Sequence, residues 1–144
     1  MKYFTISELC ASSSAAKYGI DNMPTSQITR NLTEMVEKLL DPLREAWGSG
    51  IKVTSGYRCT KLNTKVGGSA TSAHCYGLAV DTKPSNGRMA EYQQFVEKFL
   101  REHKELGFDQ LIHEYPDKNG VDSWVHIGYK TSSGKQRRHI LTIN

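Results

Sequence analysis

The chain is 144 residues long, 38% hydrophobic and 24% charged, with 19 Lys and Arg against 15 Asp and Glu. That length predicts one domain, residues 1–144, able to bury a core without disulfide staples, and no segment approaches the ~20 apolar residues of a bilayer span. The cysteines, Cys10, Cys59 and Cys75, are odd in number and form no CxxC pair, which argues against a disulfide framework and a cysteine-rich zinc site.

The N-terminus, MKYFTISELC, has one early lysine and no apolar run behind it, so no signal peptide is expected. Synthesis in the cytoplasm follows, and work outside it would need another route out. The modest basic excess biases encounters toward anionic polymers, including nucleic acid and cell wall. Its one cluster, Lys135 to His139, reads as solvated surface, and no helix-turn-helix or RNA-binding signature accompanies it. A monomer without a nucleic-acid partner is expected.

In chain order, Thr5-Ile6-Ser7-Glu8 has the form of a capping box and predicts a short helix. Small and polar residues then read as loop through Pro24. Thr25 caps a long amphipathic helix on which Ile28, Leu32, Met35, Val36, Leu39, Leu40, Leu43 and Trp47 recur at three- and four-residue steps. Pro42 predicts a kink or break in it, and Gly48 and Gly50 its end. Ile51 to Arg58 alternates like a strand leading into a glycine turn, and CTKLNTKVGGSATS reads as an irregular loop. Leu78 to Thr82 predicts a core strand. Cys75, beside His74, reads as a small buried filler on the opposite strand face.

A second amphipathic helix is predicted from Ala90 to about Glu105, with Phe95, Val96, Phe99 and Leu100 on its buried stripe and Gly107 closing it. FDQLIHEY and SWVHIGY flank PDKNGVD, whose Asn-Gly pair signals a hairpin. RHILTIN offers a last strand. This order predicts an α+β domain, a largely antiparallel sheet with helices packed on it, rather than a doubly wound α/β fold.

The stretch SAHCYGLAVD holds an imidazole, His74, and a carboxylate, Asp81, around Gly77 and Ala79. Zinc binds imidazole nitrogen and carboxylate oxygen, and catalytic sites use three protein ligands with a position left for water. His74 and Asp81 supply two ligands if the intervening turn folds back, which Gly77 permits and the small Ala79 leaves room for. Spacing alone leaves this open. WVHIG places His126 within an apolar strand, either as a core histidine satisfied by a backbone carbonyl or as the third ligand.

The pattern Ser72-x-His74-x-x-Gly77-x-Ala79-x-Asp81, followed by Trp124-Val125-His126, resembles the zinc D-Ala-D-Ala carboxypeptidase family. Relatives of that family include phage endolysins that cut the L-alanyl-D-glutamate bond and the metal-binding signalling domain of hedgehog. The likeness runs from about Phe4 to the last strand. It includes LDPLREAWGSGIKVTSGYRC and LNTKVGGSATSAH, which look like the compact, phage-associated branch. It implies a hedgehog-like fold and a Zn²⁺ ion held by His74, Asp81 and His126. It also implies that Arg58 holds a substrate carboxylate or carbonyl, for which two parallel guanidinium hydrogen bonds are suited. The plainer role for Arg58 is a salt bridge that pins its loop. Ser72 matches a serine that lines the site, and it can equally cap the following turn.

The base is where the resemblance is incomplete. Carboxypeptidase members carry an acid three positions before the last histidine, and here that position is Ser123. Glu114 and Asp122 are the acids nearby. GFDQLIHEY resembles the hedgehog segment whose strand ends in a zinc-site glutamate, which favours Glu114. Cross-strand neighbours lie about 5 Å apart, so a carboxylate opposite or diagonal to His126 is within reach, but a one-residue slip would face His113 to the site instead. The implied activity is hydrolysis of D-amino-acid-containing bonds in peptidoglycan stem peptides, as an endolysin-type endopeptidase or a D-Ala-D-Ala carboxypeptidase. It would act on the wall after phage or prophage lysis, or on wall fragments in the cytoplasm. The alternative is a metal-binding recognition domain or phage structural part without turnover.

Overall fold

Five short strands make one sheet whose two faces have different duties. A computed structural model describes residues 1–144. Its helices are α1 (Ile6–Cys10), α2 (Ser13–Tyr18), α3 (Ser26–Met35), α4 (Asp41–Trp47), α5 (Thr60–Lys65) and α6 (Met89–Glu102). Its strands are β1 (Ile51–Ser55), β2 (Ala79–Pro84), β3 (Gln110–Glu114), β4 (Trp124–Gly128) and β5 (His139–Ile143). They lie in the order β1-β2-β4-β3-β5, antiparallel except for the β3–β5 pair. This is the expected α+β fold. No helix is long and apolar enough to cross a membrane.

Alternation along the strands sorts the side chains. Val80, Leu111, Val125 and Ile127 enter the core with Leu32, Met35, Val36, Leu39, Leu40 and Leu43 of the long helical segment and Tyr92, Val96, Phe99 and Leu100 of α6. Leu39 and Leu111 are fully buried, so truncating either to Ala costs about 2–5 kcal/mol. Thr82 joins this face without leaving its hydroxyl unpaired, bonding the Tyr92 hydroxyl at 2.6 Å and donating to the Val125 carbonyl at 3.0 Å. The residues between them, Asp81, Ile112, Glu114 and His126, are left for the opposite face.

The capping box at Thr5 forms as expected, with the Thr5 hydroxyl accepting from Glu8 N at 3.1 Å. Pro42 marks the expected interruption of the long helix without ending it. A π-helical turn, Val36–Leu40, joins α3 to α4 immediately before it. Widening the ladder there absorbs the missing proline N–H and the clash of its ring with the preceding turn.

Four local expectations are corrected. α2 lies in the stretch read as loop, capped by Ser12 and closed by Gly19. The supposed irregular loop after Arg58 contains α5, capped by the Cys59 thiol, which accepts from Leu62 N at 3.4 Å. Both helices span fewer than two turns, too few for periodicity to register. Cys75 is half-buried in a 3₁₀ turn, Ala73–Tyr76, rather than on a strand. The basic tail cluster is partly structural: Arg137 grips Asp109 with two guanidinium bonds, and Arg138 donates to the carbonyls of Leu100 and Leu106.

Candidate metal centre and active site

His74 owes its position to the turn that carries it. The Ser72 hydroxyl accepts from His74 N at 3.2 Å, and Gly77, at φ 68°, closes the turn into β2. The turn is pressed against α3, since a Cβ on Gly77 would meet Ile28 and Leu32 side-chain carbons at 3.0 Å. The imidazole is 3% exposed and its Nδ1 lies 2.8 Å from the Gly56 carbonyl. A carbonyl only accepts, so Nδ1 carries the hydrogen and Nε2 keeps a free lone pair. That lone pair faces Asp81, 3.4 Å from Oδ1.

Sheet register does the rest. Asp81 on β2 stands directly across from His126 on β4, and its Oδ1 lies 2.9 Å from His126 Nδ1. The two imidazole rings are 5.2 Å apart. One ligand atom from each of His74, Asp81 and His126 lies within 4.8 Å of the others, a group that could hold a metal ion. Burial alone would push Asp81 up, but the hydrogen bond from His126 and the proximity of the His74 ring outweigh it and hold the carboxyl well below the usual carboxylate range. Two neutral nitrogens and one ionised carboxylate fit the donor set of a catalytic zinc site. The Gly56 carbonyl fixes the His74 tautomer, as metal-site histidines require. The residues therefore fit zinc.

These three residues line a cleft of about 720 Å³ together with Arg58, Ser72, Glu114, Tyr115 and Trp124. Arg58 Nη2 donates to Ser72 Oγ at 3.3 Å, while its Nε is buried without a partner. Arg58 has no carboxylate partner, so the salt-bridge role does not arise. Ser72 holds both positions open to it, capping the turn and lining the cleft. Glu114 ends β3, opposite Trp124 and two pairs along from the Ile112–His126 pair. Burial first, then the negative charge of Asp81, push its carboxyl above the usual glutamate value.

Asp122 lies elsewhere. It is buried and hydrogen-bonded to His113, which faces α6 and also meets Glu97 at 2.8 Å. The register thus turns His113 away from the cleft and Glu114 into it. Some contributors carry no sequence signal. Tyr115 lines the cleft from a left-handed backbone, φ 49°, and Asp109 and Arg137 form part of the wall. Gly56 had a faint one, as the glycine two residues before Arg58.

A family profile described as Peptidase M15 matches residues 2–127. This chain belongs to the peptidase M15 family. M15 peptidases are zinc-dependent metallopeptidases, and the His74–Asp81–His126 group accords with that cofactor. The M15 match stops at Ile127, so β5, which the sequence resemblance had taken in, lies beyond it. No curated relative matches the chain.

Proposed function

We propose that this M15 metallopeptidase hydrolyses D-amino-acid-containing peptide bonds of peptidoglycan stem peptides. Its ligands would be His74, Asp81 and His126, its base Glu114 and its substrate anchor Arg58. The observation that carries the reading is their convergence on one cleft from β2, β3, β4 and the two loops around α5. A zinc ion bound there supplies Lewis acidity and lowers the pKa of a water molecule toward about 7. Glu114, with a carboxyl raised by burial, takes a proton from the attacking water and returns it to the departing amine nitrogen. Arg58 offers its unpartnered Nε–H and a guanidinium fork to a substrate carboxylate or carbonyl. Ser72 bonds the substrate backbone while its turn keeps His74 in place.

The net charge of +4 suits an anionic wall, reached after phage or prophage lysis or met as fragments in the cytoplasm. The test is incubation of zinc-loaded protein with purified peptidoglycan and synthetic stem peptides, with products identified by mass. Loss of terminal D-Ala marks a carboxypeptidase, and release of stems or cross-bridge fragments marks an endopeptidase. No product from any substrate overturns the reading in favour of metal-dependent recognition without turnover.

A further inference from the structure

Trp124 stands directly across from Glu114 in the β3–β4 register, and both line the cleft. Directly opposed strand residues have Cβ atoms about 4.5–5.5 Å apart, close enough for an indole to meet a carboxylate. The Trp124 indole N–H is buried and makes no hydrogen bond of ordinary geometry. Buried donors are rarely left without a use. The carboxylate whose charged form this N–H favours is that of Glu114.

The backbone next to the indole is unusual. Tyr115 has a φ of 49°, uncommon for an aromatic residue and a kind of outlier that clusters at functional sites. It is fixed there from both sides, its N–H donating to the Ile143 carbonyl at 2.7 Å and its carbonyl accepting from the Ser123 hydroxyl at 2.7 Å. Its ring lies 5.3 Å from that of Trp124. The other tryptophan, Trp47, also has an unpartnered indole N–H, but it packs on Tyr92 and Phe95 and has no cleft carboxylate opposite it.

We propose that Trp124 is a positioning residue for the reaction: its indole N–H is a donor kept for the Glu114 carboxylate, and the Tyr115 ring braces the indole. The proposal rests on Glu114 acting as the base. Catalytic hydrogen bonds are often long or misaligned before substrate binds and tighten afterwards. With one carboxylate oxygen committed to the indole, the other is held toward His126 and Asp81, free to take a proton.

Two arms test it. In ¹⁵N-labelled, metal-free protein, Glu114→Gln should move the Trp124 indole resonance and leave that of Trp47 in place. In zinc-loaded protein, Trp124→Phe keeps an aromatic ring and removes the donor. It should lower kcat about 10- to 100-fold, the usual cost of losing an orienting partner, with KM and zinc content within about twofold of wild type. A Trp124 resonance that coincides in wild type and Glu114→Gln overturns the proposal. So does an undiminished kcat in Trp124→Phe, or a loss expressed only through KM or zinc content. If Trp124→Phe does not fold, the resonance arm decides, with signals assigned sequentially. Full activity in Glu114→Gln would instead remove the base assignment itself, and the positioning role with it.

Discussion

His113 and Glu114 are neighbours on β3 that serve opposite faces of the sheet. Glu114 opens into the cleft with His74, Asp81 and His126. His113 points toward α6, between Asp122 and Glu97. One strand thus carries the carboxylate proposed as the base on one side and a clamp for its loop on the other.

Substituting these neighbours should separate the two roles. Glu114→Gln is expected to keep zinc stoichiometry and melting temperature while lowering kcat about 10²–10⁴-fold, the usual worth of a positioned acid–base group. His113→Gln should keep kcat near wild type and lower the melting temperature. Steady-state kinetics, metal analysis and calorimetry on the two variants check both halves.

Gly56 ties the candidate metal centre to the N-terminal helices. Its carbonyl accepts from His74 Nδ1 at 2.8 Å, and a Cβ on it would lie 2.1 Å from the Leu9 carbonyl oxygen. Gly56→Ala must therefore displace this backbone, and His74 loses the acceptor that fixes its tautomer. Zinc affinity is expected to fall about 10- to 100-fold, measured by competition with a chromophoric chelator. Zinc at 100 times its Kd stabilises a folded protein by about 2.7 kcal/mol, so the zinc concentration giving a set thermal shift should rise by the same factor.

How much of this was legible in the sequence follows from which physics operates locally. His74, Asp81 and His126 are legible as a set only through the resemblance, since spacing alone leaves the His74–Asp81 pair open and His126 readable as a core histidine. The long helix announces itself through Leu32, Leu39 and Leu43, which repeat over several turns. α2 and α5 do not, because their signals are a Ser12 cap and a Cys59 cap with fewer than two turns behind each. The choice between Glu114 and Asp122 depends on strand register, a property of two segments at once, which neither segment specifies alone. The φ of Tyr115 and the Gly56 carbonyl are backbone facts with no side-chain signature.

Arg58 brings a chemical test of the anchor. Its guanidinium reaches Ser72 with one Nη and leaves Nε buried and unpaired. Arg58→Lys retains the charge and loses the planar fork, which is not a conservative change at a bidentate site. KM should rise about tenfold or more, roughly the loss of one charge-assisted bond worth about 1.5–3 kcal/mol, with a smaller change in kcat. Ser72→Ala removes only a neutral partner, and about 1 kcal/mol is expected. Kinetics on stem peptides with free and amidated C-termini would show whether the fork reads a carboxylate: the penalty of Arg58→Lys should shrink on the amide.

The His113 clamp predicts a stability that depends on pH. Both ring nitrogens face carboxylates, Nδ1 toward Asp122 and Nε2 toward Glu97, an arrangement that favours the imidazolium, in which both nitrogens donate. Burial works against that charge, but Asp122 and then Glu97 outweigh it and hold His113 above the usual histidine value. A group whose folded value is raised adds stability that is fully present below its unfolded pKa, near 6.5. That contribution is lost as pH rises through the folded value. The clamp joins β3, α6 and the β3–β4 loop, which Gln93 also pins through Gly120 O and Asp122 N at 2.8 Å each. His113→Gln leaves the buried Asp122 with a poorer partner, a cost of about 1–3 kcal/mol at pH 6. The gap in urea midpoint between wild type and variant should narrow steadily toward pH 9. A gap that stays constant from pH 6 to pH 9 would mean that the ring is held neutral and that packing alone sets the cost.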